Sequence, residues 1–286
     1  MLKSVGKNQN FLRFYSNMAQ GLALKDIISK LESFAPLSYA EKWDNVGLLL
    51  EPYNQASVEK ILLTNDLTER VMKEAVEKKV NMIVSYHPPI FAPMKRITQS
   101  NWKQRIVSMC LGQGIALYSP HTAWDSTLGG VNDWLASALP VKDIQPIQPL
   151  EGCGNENVGS GRIFSTKMHL DNVIKAVQNH IGLDVHVAMG VEHSGKSEIK
   201  KVALCAGSGA TLLRGVKADL YITGEMSHHE VLDANHNNVS VILCNHSNSE
   251  RGFLKTFQPK LDDMLNGQCE IFVAETDEDP IKTYKK

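Results

Sequence analysis

Two histidines in this sequence are each followed by a carboxylate four residues later: His121 by Asp125, and His246 by Glu250. Each histidine comes at the end of an apolar run, in IALYSPHTAWD and in VSVILCNHSNSE. If a helical turn begins after the histidine, residues four apart share a face, so the imidazole and the carboxylate can point to one place. The repeated pattern predicts one shared site built from two related segments.

Other polar side chains also follow apolar runs directly, and these are Asn65, Asp66, His87 and Glu225. In open α/β sheets ligands bind at the carboxyl ends of the strands, so such residues can converge although they are far apart in sequence. A set of imidazoles and carboxylates without a thiolate suits Zn, Fe, Mn, Co or Ni better than Ca or Mg. The sequence therefore predicts a divalent-metal site.

Each of these residues also has a local structural explanation. His87 precedes two prolines and can satisfy backbone groups at a turn, Asp125 can cap a helix, and Glu250 can be an exposed residue of a first helical turn. The GSG at 207–209 is compatible with phosphate binding, but no Walker lysine follows, which favours a tight turn. The repeated His-x-x-x-carboxylate pattern favours the shared site over separate local roles.

The elements that must position these residues alternate between strand-like and helix-like segments at the spacing of βαβ units. The chain is predicted to be an α/β protein of two pseudo-related α/β lobes, with the metal site at their interface. We predict a tail or weak presequence at 1–18, the first lobe at 19–139, a connector at 140–160 and the second lobe at 161–286. In this prediction, segments of one lobe can lie between segments of the other along the chain.

Composition excludes several classes of protein. Lys and Arg number 30 against 31 Asp and Glu, so no net field attracts nucleic acid or anionic lipid. Five scattered cysteines without a C-x-x-C pair indicate a reducing compartment, and no apolar run approaches the roughly 18 residues that span a bilayer. We expect a cytoplasmic protein. The alternative is mitochondrial, because Lys3, Lys7 and Arg13 precede the first acid, Asp26.

Seven segments between residues 43 and 254 together resemble one known family. They are WDNVGLLLEP, LTNDLT, SYHPPIFAPMKRIT, YSPHTAWD, VALCAGSG, DLYITGEMSHHE and NHSNSERGFL. On these motifs the chain resembles the NIF three-like proteins, whose bacterial members carry the label GTP cyclohydrolase type 2 homologue. The resemblance implies two α/β lobes with a pair of divalent metal ions between them, and a homo-oligomer in the form of a hexameric ring.

The resemblance also implies a ligand set. One ion is expected on His87, Asp125 and Glu250, and the second on His246, with Glu250 bridging the two. Bacterial relatives have two histidines before the proline, where this chain has Tyr86 and His87. His121 or Tyr86 can compensate for the lost imidazole; alternatively the second ion binds weakly or is absent.

The function expected from these residues is metal-dependent hydrolysis of a nucleotide or another small cyclic or phosphate compound. His121 is the expected proton shuttle, since an unperturbed imidazole titrates near pH 6.5. The expected substrate-binding residues are Trp43, Asp44, Asn45, Tyr86 and Glu225. Two alternatives stay open: a non-catalytic metal-binding adaptor that acts through protein partners in transcription regulation, and metal ions that only fasten the two lobes.

Overall fold

The computed structural model describes residues 21–53, 57–282 and 284. The tail or weak presequence predicted at 1–18 lies outside the described residues. The described part of the chain combines helices with several sheets, which confirms the predicted α/β class. Within that part, no helix is long and apolar enough to cross a membrane.

The first sheet has five strands. In sheet order they are β1 (Gly47–Leu50), β4 (Ala116–Ser119), β3 (Met82–Ser85), β2 (Lys60–Thr64) and β13 (Glu270–Val273). Strands β4, β3, β2 and β13 run parallel, whereas β1 is antiparallel to β4. Both β3 and β4 are buried along their whole length. Parallel strands that are covered on both faces appear as continuous apolar runs, which explains why the sequence marks them clearly.

Helices cover both faces of this sheet. One face carries the crossover helices α2 (Glu69–Glu77) and α3 (Trp102–Gln113), and the other carries α1 (Leu24–Phe34) and α9 (Gly252–Met264). The alternation of side chains along β2 follows from the pleat: Leu62 belongs to the apolar cluster on the α2 and α3 side, and Ile61 and Leu63 belong to the cluster on the other side.

The second sheet has six strands. In sheet order they are β5 (Lys142–Gln145), β8 (Arg162–His169), β10 (Glu198–Ser208), β11 (Leu220–Glu225), β12 (Ser240–Leu243) and β9 (His186–Ala188). Strands β10, β11 and β12 are parallel, and the outer strands are antiparallel to their neighbours. The helices of this part are α6 (Leu170–Ile181), α7 (Ala210–Leu213) and α8 (His228–His236).

The two sheets do not divide the chain into two continuous halves. The range 161–286, predicted as the second lobe, contributes β13 to the first sheet, where it pairs with β2. The range 140–160, predicted as a connector, contains β5 and the small ladder of β6 (Gln148–Pro149) with β7 (Gly159–Ser160). A short apolar strand has the same pattern whichever sheet it joins, so periodicity does not assign β13 to a partner.

An aromatic cluster joins two segments that carry site carboxylates. Trp124 lies in the short helix α4 (Thr122–Ser126), next to Asp125, and its ring is 5.4 Å from that of Phe253 and 4.4 Å from that of Phe257 in α9. Aromatic pairs of this kind contribute about 0.5–1.5 kcal/mol each beyond their buried area. The packing therefore fixes Asp125 relative to the start of α9, which follows Glu250.

A buried arginine ties the second sheet to the turn after α4. The side chain of Arg162 in β8 is 1% exposed, and its Nε lies 2.5 Å from Oδ1 of Asp133, in the short helix α5 (Val131–Ala136). Its Nη2 donates to the backbone carbonyl of Thr127 at 3.1 Å, and its Nη1 donates to the carbonyls of Gly159 and Gly161 at 2.7 Å. Because its hydrogen bonds are made, the buried charge fastens β8 to the segment between α4 and α5.

Candidate metal centre

Polar residues at the ends of strands from both sheets meet between the sheets. Asp66 and His87 follow β2 and β3 of the first sheet, whereas Glu225 and His246 belong to the ends of β11 and β12 of the second. The side-chain amide of Asn65 donates to Oε2 of Glu250 at 3.2 Å and so connects the two groups. The convergence predicted from the strand ends is therefore present.

Three side chains form a candidate metal-binding group. One ligand atom from each of His87, His246 and Glu250 lies within 4.8 Å of the others. Nε2 of His87 is 3.4 Å from Oε2 of Glu250, and Nε2 of His246 is 3.5 Å from Oε1 of the same carboxylate. The Glu250 side chain is only 3% exposed. Two imidazoles and a carboxylate form a donor set that suits zinc and the neighbouring transition metals.

A carboxylate contacts the Nδ1 atom of each histidine and orients its ring. Nδ1 of His87 lies 2.9 Å from Oδ1 of Asp66, and Nδ1 of His246 lies 2.9 Å from Oε1 of Glu225. A carboxylate at Nδ1 fixes the ring and the tautomer of a metal-binding histidine and leaves Nε2 for the ion. Glu225, expected at the substrate mouth, therefore contacts His246. Asp66 was recognised only as a polar residue after a strand.

Charges at the cluster stabilise one another. Burial lowers the pKa of His87, but the negative charge of Glu250 and the hydrogen bonds with Asp66 and Glu250 outweigh it and raise that pKa to about 10. Burial in turn raises the pKa of Glu250, and the charge of His87 outweighs this effect and lowers it. The carboxylate is thus ionised, as a metal ligand must be.

His121 lies beside this cluster and is held in the same manner. Its Nδ1 is 2.7 Å from Oδ1 of Asp44, and its ring centroid is 5.3 Å from that of His87. The other oxygen of Asp44 accepts from the backbone N–H and the hydroxyl of Thr122 at 3.1 and 2.5 Å. The backbone φ of His121 is +33°, a conformation that costs energy and is tolerated where the surroundings fix it. Asp44, expected to bind substrate, here orients His121.

Asp125, expected as a metal ligand, lies outside the group of three. Its Oδ1 accepts a hydrogen bond from the hydroxyl of Tyr86 at 2.5 Å. Burial and the charge of Glu250 raise the pKa of Asp125 to about 6, against the opposing effects of His121 and of the Tyr86 hydrogen bond. Burial, together with the charges of Asp125 and Glu250, also raises the pKa of Tyr86 well above its ordinary value. The hydroxyl of Tyr86 is therefore held as a neutral donor to Asp125.

A glycine makes the close approach of backbone to the cluster possible. Gly207 has a φ of +64°, and a Cβ built on it would lie 2.5 Å from Oε1 of Glu250 and 3.2 Å from Nε2 of His246. Its N–H donates to Oγ of Ser249 at 2.8 Å. The GSG was predicted as a tight turn, and its relation to Glu250 was missed. A glycine within the last residues of an apolar strand was the available signal.

The remaining expected substrate residues, Trp43 and Asn45, lie beside His121 and the loop after His87 and do not line the cavity at the cluster. The ring of Trp43 is 62% exposed and lies 6.1 Å from that of His121, in an edge-on arrangement. The side-chain amide of Asn45 donates to the backbone carbonyl of Ile90 at 2.5 Å, which holds the loop after His87. A cavity of about 510 Å³ opens beside the cluster. Its lining includes His87, Glu225, His246 and Ile281.

The whole described fold corresponds to one protein family. The model of the Duf34/NIF3 (NGG1p interacting factor 3) family matches residues 22–280. The chain belongs to the NIF3 family. It is 57% identical to NIF3-like protein 1 of Drosophila melanogaster, over 93% of this chain and 91% of the fly protein. The resemblance predicted from the sequence motifs is confirmed.

Two further NIF3 relatives extend the comparison. NGG1-interacting factor 3 of Saccharomyces cerevisiae is 38% identical over 90% of this chain and 96% of the yeast protein. The crystal structure of a Bacillus cereus protein related to NIF3 matches with a TM-score of 0.80 at 21% identity, over 91% of this chain and 98% of that one. The bacterial match shows that this chain and the Bacillus cereus protein share a fold.

Proposed function

We propose that this NIF3 family member is a divalent-metal-dependent hydrolase with its metal ligands at His87, His246 and Glu250. One observation carries the proposal: the Nε2 atoms of the two histidines lie 3.4 and 3.5 Å from the two oxygens of a single buried carboxylate. Buried ionised groups are costly unless they are paired or bind a metal. The three donors come from segments at the ends of strands in both sheets and converge on one point.

The residues present fit such an ion. Nδ1 of each histidine already contacts a carboxylate, so Nε2 is the nitrogen left for coordination. Gly207 places no side chain where an ion would sit against Glu250. The absence of cysteine from the group favours a borderline metal held by nitrogen and oxygen over one held in a thiolate cage.

We further propose that the centre holds two ions. The two oxygens of Glu250 face different histidines, Oε2 toward His87 and Oε1 toward His246, so this carboxylate would be a ligand shared by the two ions. Asp125, which lies outside the group of three, is the further ligand that the family resemblance implies for the ion on the His87 side. The His246 side has fewer protein donors, because Tyr86 stands where bacterial relatives have a histidine, and we expect this second ion to bind more weakly.

The chemistry assigned to this centre is hydrolysis. His87, His246 and Glu250 would hold a divalent ion that would supply hydroxide at neutral pH, since such an ion lowers the pKa of water from about 16 to about 7. His121 is the proton-transfer group: Asp44 holds its Nδ1 at 2.7 Å, which leaves Nε2 to exchange a proton with the substrate. The cavity of about 510 Å³ is of a size that accepts a nucleotide or a similar small cyclic or phosphate compound.

A screen of nucleotides and small cyclic amides with the purified, metal-loaded protein tests the proposal. For any compound that is turned over, we expect a chelator to abolish turnover and His121→Ala to lower kcat by about 10²–10⁴-fold without loss of metal. His229→Ala is the matched control, because that histidine lies exposed at the start of α8, outside the metal group. Turnover that survives complete removal of the metal contradicts the proposal.

A second candidate function is that of a metal-binding adaptor. The yeast relative, 38% identical to this chain, is named an interacting factor, which favours protein partners. An adaptor requires the surface of the protein and no proton-transfer group, so partner binding should be equal in the wild type and in His121→Ala. A pull-down compares partner binding by the wild type with partner binding by His121→Ala. An adaptor keeps its partner binding in this variant, whereas a hydrolase loses its activity.

A further inference from the structure

The segment after β13 folds back across the candidate metal centre. Two acidic side chains of this segment are buried there. Asp277 and Asp279 are each 8% exposed, whereas Glu278, Pro280 and Ile281 are exposed. An extended segment with alternating buried and exposed residues lies against a surface with one of its faces. Buried carboxylates need partners there.

One oxygen of Asp277 holds the segment that orients His87. Oδ2 accepts from the backbone N–H of Asn65 at 2.6 Å and from that of Asp66 at 3.4 Å, and also from the hydroxyl of Thr64 at 3.1 Å. Asn65 donates to Glu250, and Asp66 contacts Nδ1 of His87. The position of this oxygen therefore fixes the two residues that position two ligands.

The other oxygen of Asp277 faces the segment that carries the remaining ligands. Oδ1 lies 3.3 Å from Nε of Arg251, the residue after Glu250. The same guanidinium donates to Oδ1 of Asn248 at 2.7 Å and to Oγ of Ser247 at 2.8 Å. Both acceptors lie in the turn between His246 and Glu250. Arg251 thus braces this turn, and the carboxylate of Asp277 lies at ion-pair distance from Arg251, without a hydrogen bond between Oδ1 and Nε.

We propose that Asp277 is a positioning residue of the metal centre, which couples the end of β2 to the turn between His246 and Glu250. This inference rests on the proposed metal centre. Through Asn65 and Asp66 on one side and Arg251 on the other, Asp277 sets the spacing of ligands that come from two different sheets. Loss of residues that orient metal ligands lowers metal affinity by about 10–100-fold, and we expect Asp277→Ala to fall in that range.

The experiment is a Zn²⁺ titration of the full chain, stripped of metal, against a competing fluorescent chelator at a temperature where circular dichroism shows every variant folded. We expect Asp277→Ala to weaken zinc binding about 10–100-fold and Asp277→Asn to weaken it less, because an amide oxygen still accepts from the backbone of Asn65. If Asp277→Ala does not fold, Asp277→Asn is compared directly with the wild type and must bind zinc more weakly.

Two control variants separate positioning from stability. Glu278→Ala removes an exposed carboxylate next to Asp277, and Ile106→Ala truncates a buried side chain of α3. Both should bind zinc like the wild type, although Ile106→Ala melts at a lower temperature. The proposal is overturned if Asp277→Ala lowers the melting temperature and leaves zinc affinity unchanged, or if Glu278→Ala weakens binding equally.

Glu250→Gln distinguishes failure of this inference from failure of the metal centre. If that variant fails to bind zinc while Asp277→Ala binds like the wild type, only the role of Asp277 is overturned. If Glu250→Gln itself binds zinc like the wild type, the proposed centre is wrong and the role of Asp277 is overturned with it.

Discussion

The imidazoles of His87 and His246, which come from different sheets, direct their Nε2 atoms at opposite oxygens of the Glu250 carboxylate, and their ring centroids are 5.2 Å apart. A carboxylate lies behind each ring at the same distance of 2.9 Å, Asp66 in one case and Glu225 in the other. The two sheets thus contribute equivalent histidine–carboxylate pairs around one shared ligand.

The orienting carboxylates should control metal affinity without touching the ion. Asp66→Ala and Glu225→Ala each free one imidazole to rotate, and we expect either change to weaken Zn²⁺ binding about 10–100-fold. Competition against a fluorescent chelator measures the affinity. Glu77→Ala, on the exposed side of α2, is the control and should bind zinc like the wild type. Equal affinities in all four proteins would show that the pairs do not serve the ion.

Gly207→Ala should damage both stability and metal binding. The new Cβ would lie 2.5 Å from Oε1 of Glu250 at a φ of +64°, so overpacking of about 1–3 kcal/mol adds to the backbone strain. Gly114→Ala is a matched control, because Gly114 has a φ of +67° and no atom within 4 Å of the added Cβ. Urea denaturation of the two variants separates the cost of overpacking from the cost of the backbone strain. If both lose the same free energy of unfolding and keep zinc affinity, the close approach has no consequence.

Glu74 should make stability depend on pH. Burial raises the pKa of this carboxyl, but the hydroxyl of Thr276 and the backbone N–H groups of Glu275 and Thr276 outweigh it, and the pKa falls below its ordinary value of 4.5. Because the pKa is lower in the folded state, the stabilisation is present above pH 4.5 and is lost as the pH falls through the folded-state pKa.

We therefore expect Glu74→Gln to cost about 1–3 kcal/mol at pH 7 and progressively less in acid. Thermal unfolding between pH 3 and pH 7 measures the difference from the wild type. Glu77→Gln, on the same helix but exposed, should change little at any pH. A deficit in Glu74→Gln that stays constant across the whole range would contradict the role assigned to the ionised carboxylate.

The sequence predicted the strand ends well, because a parallel strand covered on both faces is a continuous apolar run and a polar residue after it is easily seen. His246 and Glu250 were paired correctly by their spacing, and Nε2 of one lies 3.5 Å from the other. The same four-residue spacing did not predict the residue that orients His121. Its Nδ1 contacts Asp44, 77 residues earlier in the chain, a partner that no local pattern reveals.

Features that depend on the packing of distant segments could not be predicted from the sequence. Asp277 and Gly207 reach the centre only because β13 joins the first sheet and β10 ends beside the turn after β12. Local periodicity carries no information about which sheet a short strand joins. The hexameric assembly and the cytoplasmic or mitochondrial location concern the protein in its surroundings, and they stay predictions.

The most direct measurement is the metal content of the purified wild type and of Glu250→Gln, determined by inductively coupled plasma mass spectrometry alongside circular dichroism. Both histidines face the carboxylate of Glu250, so the amide of Glu250→Gln should hold neither ion while the fold is kept. We predict one or two equivalents of a transition metal per wild-type chain, and none in the variant. Full metal content in a folded Glu250→Gln protein would contradict the proposed centre.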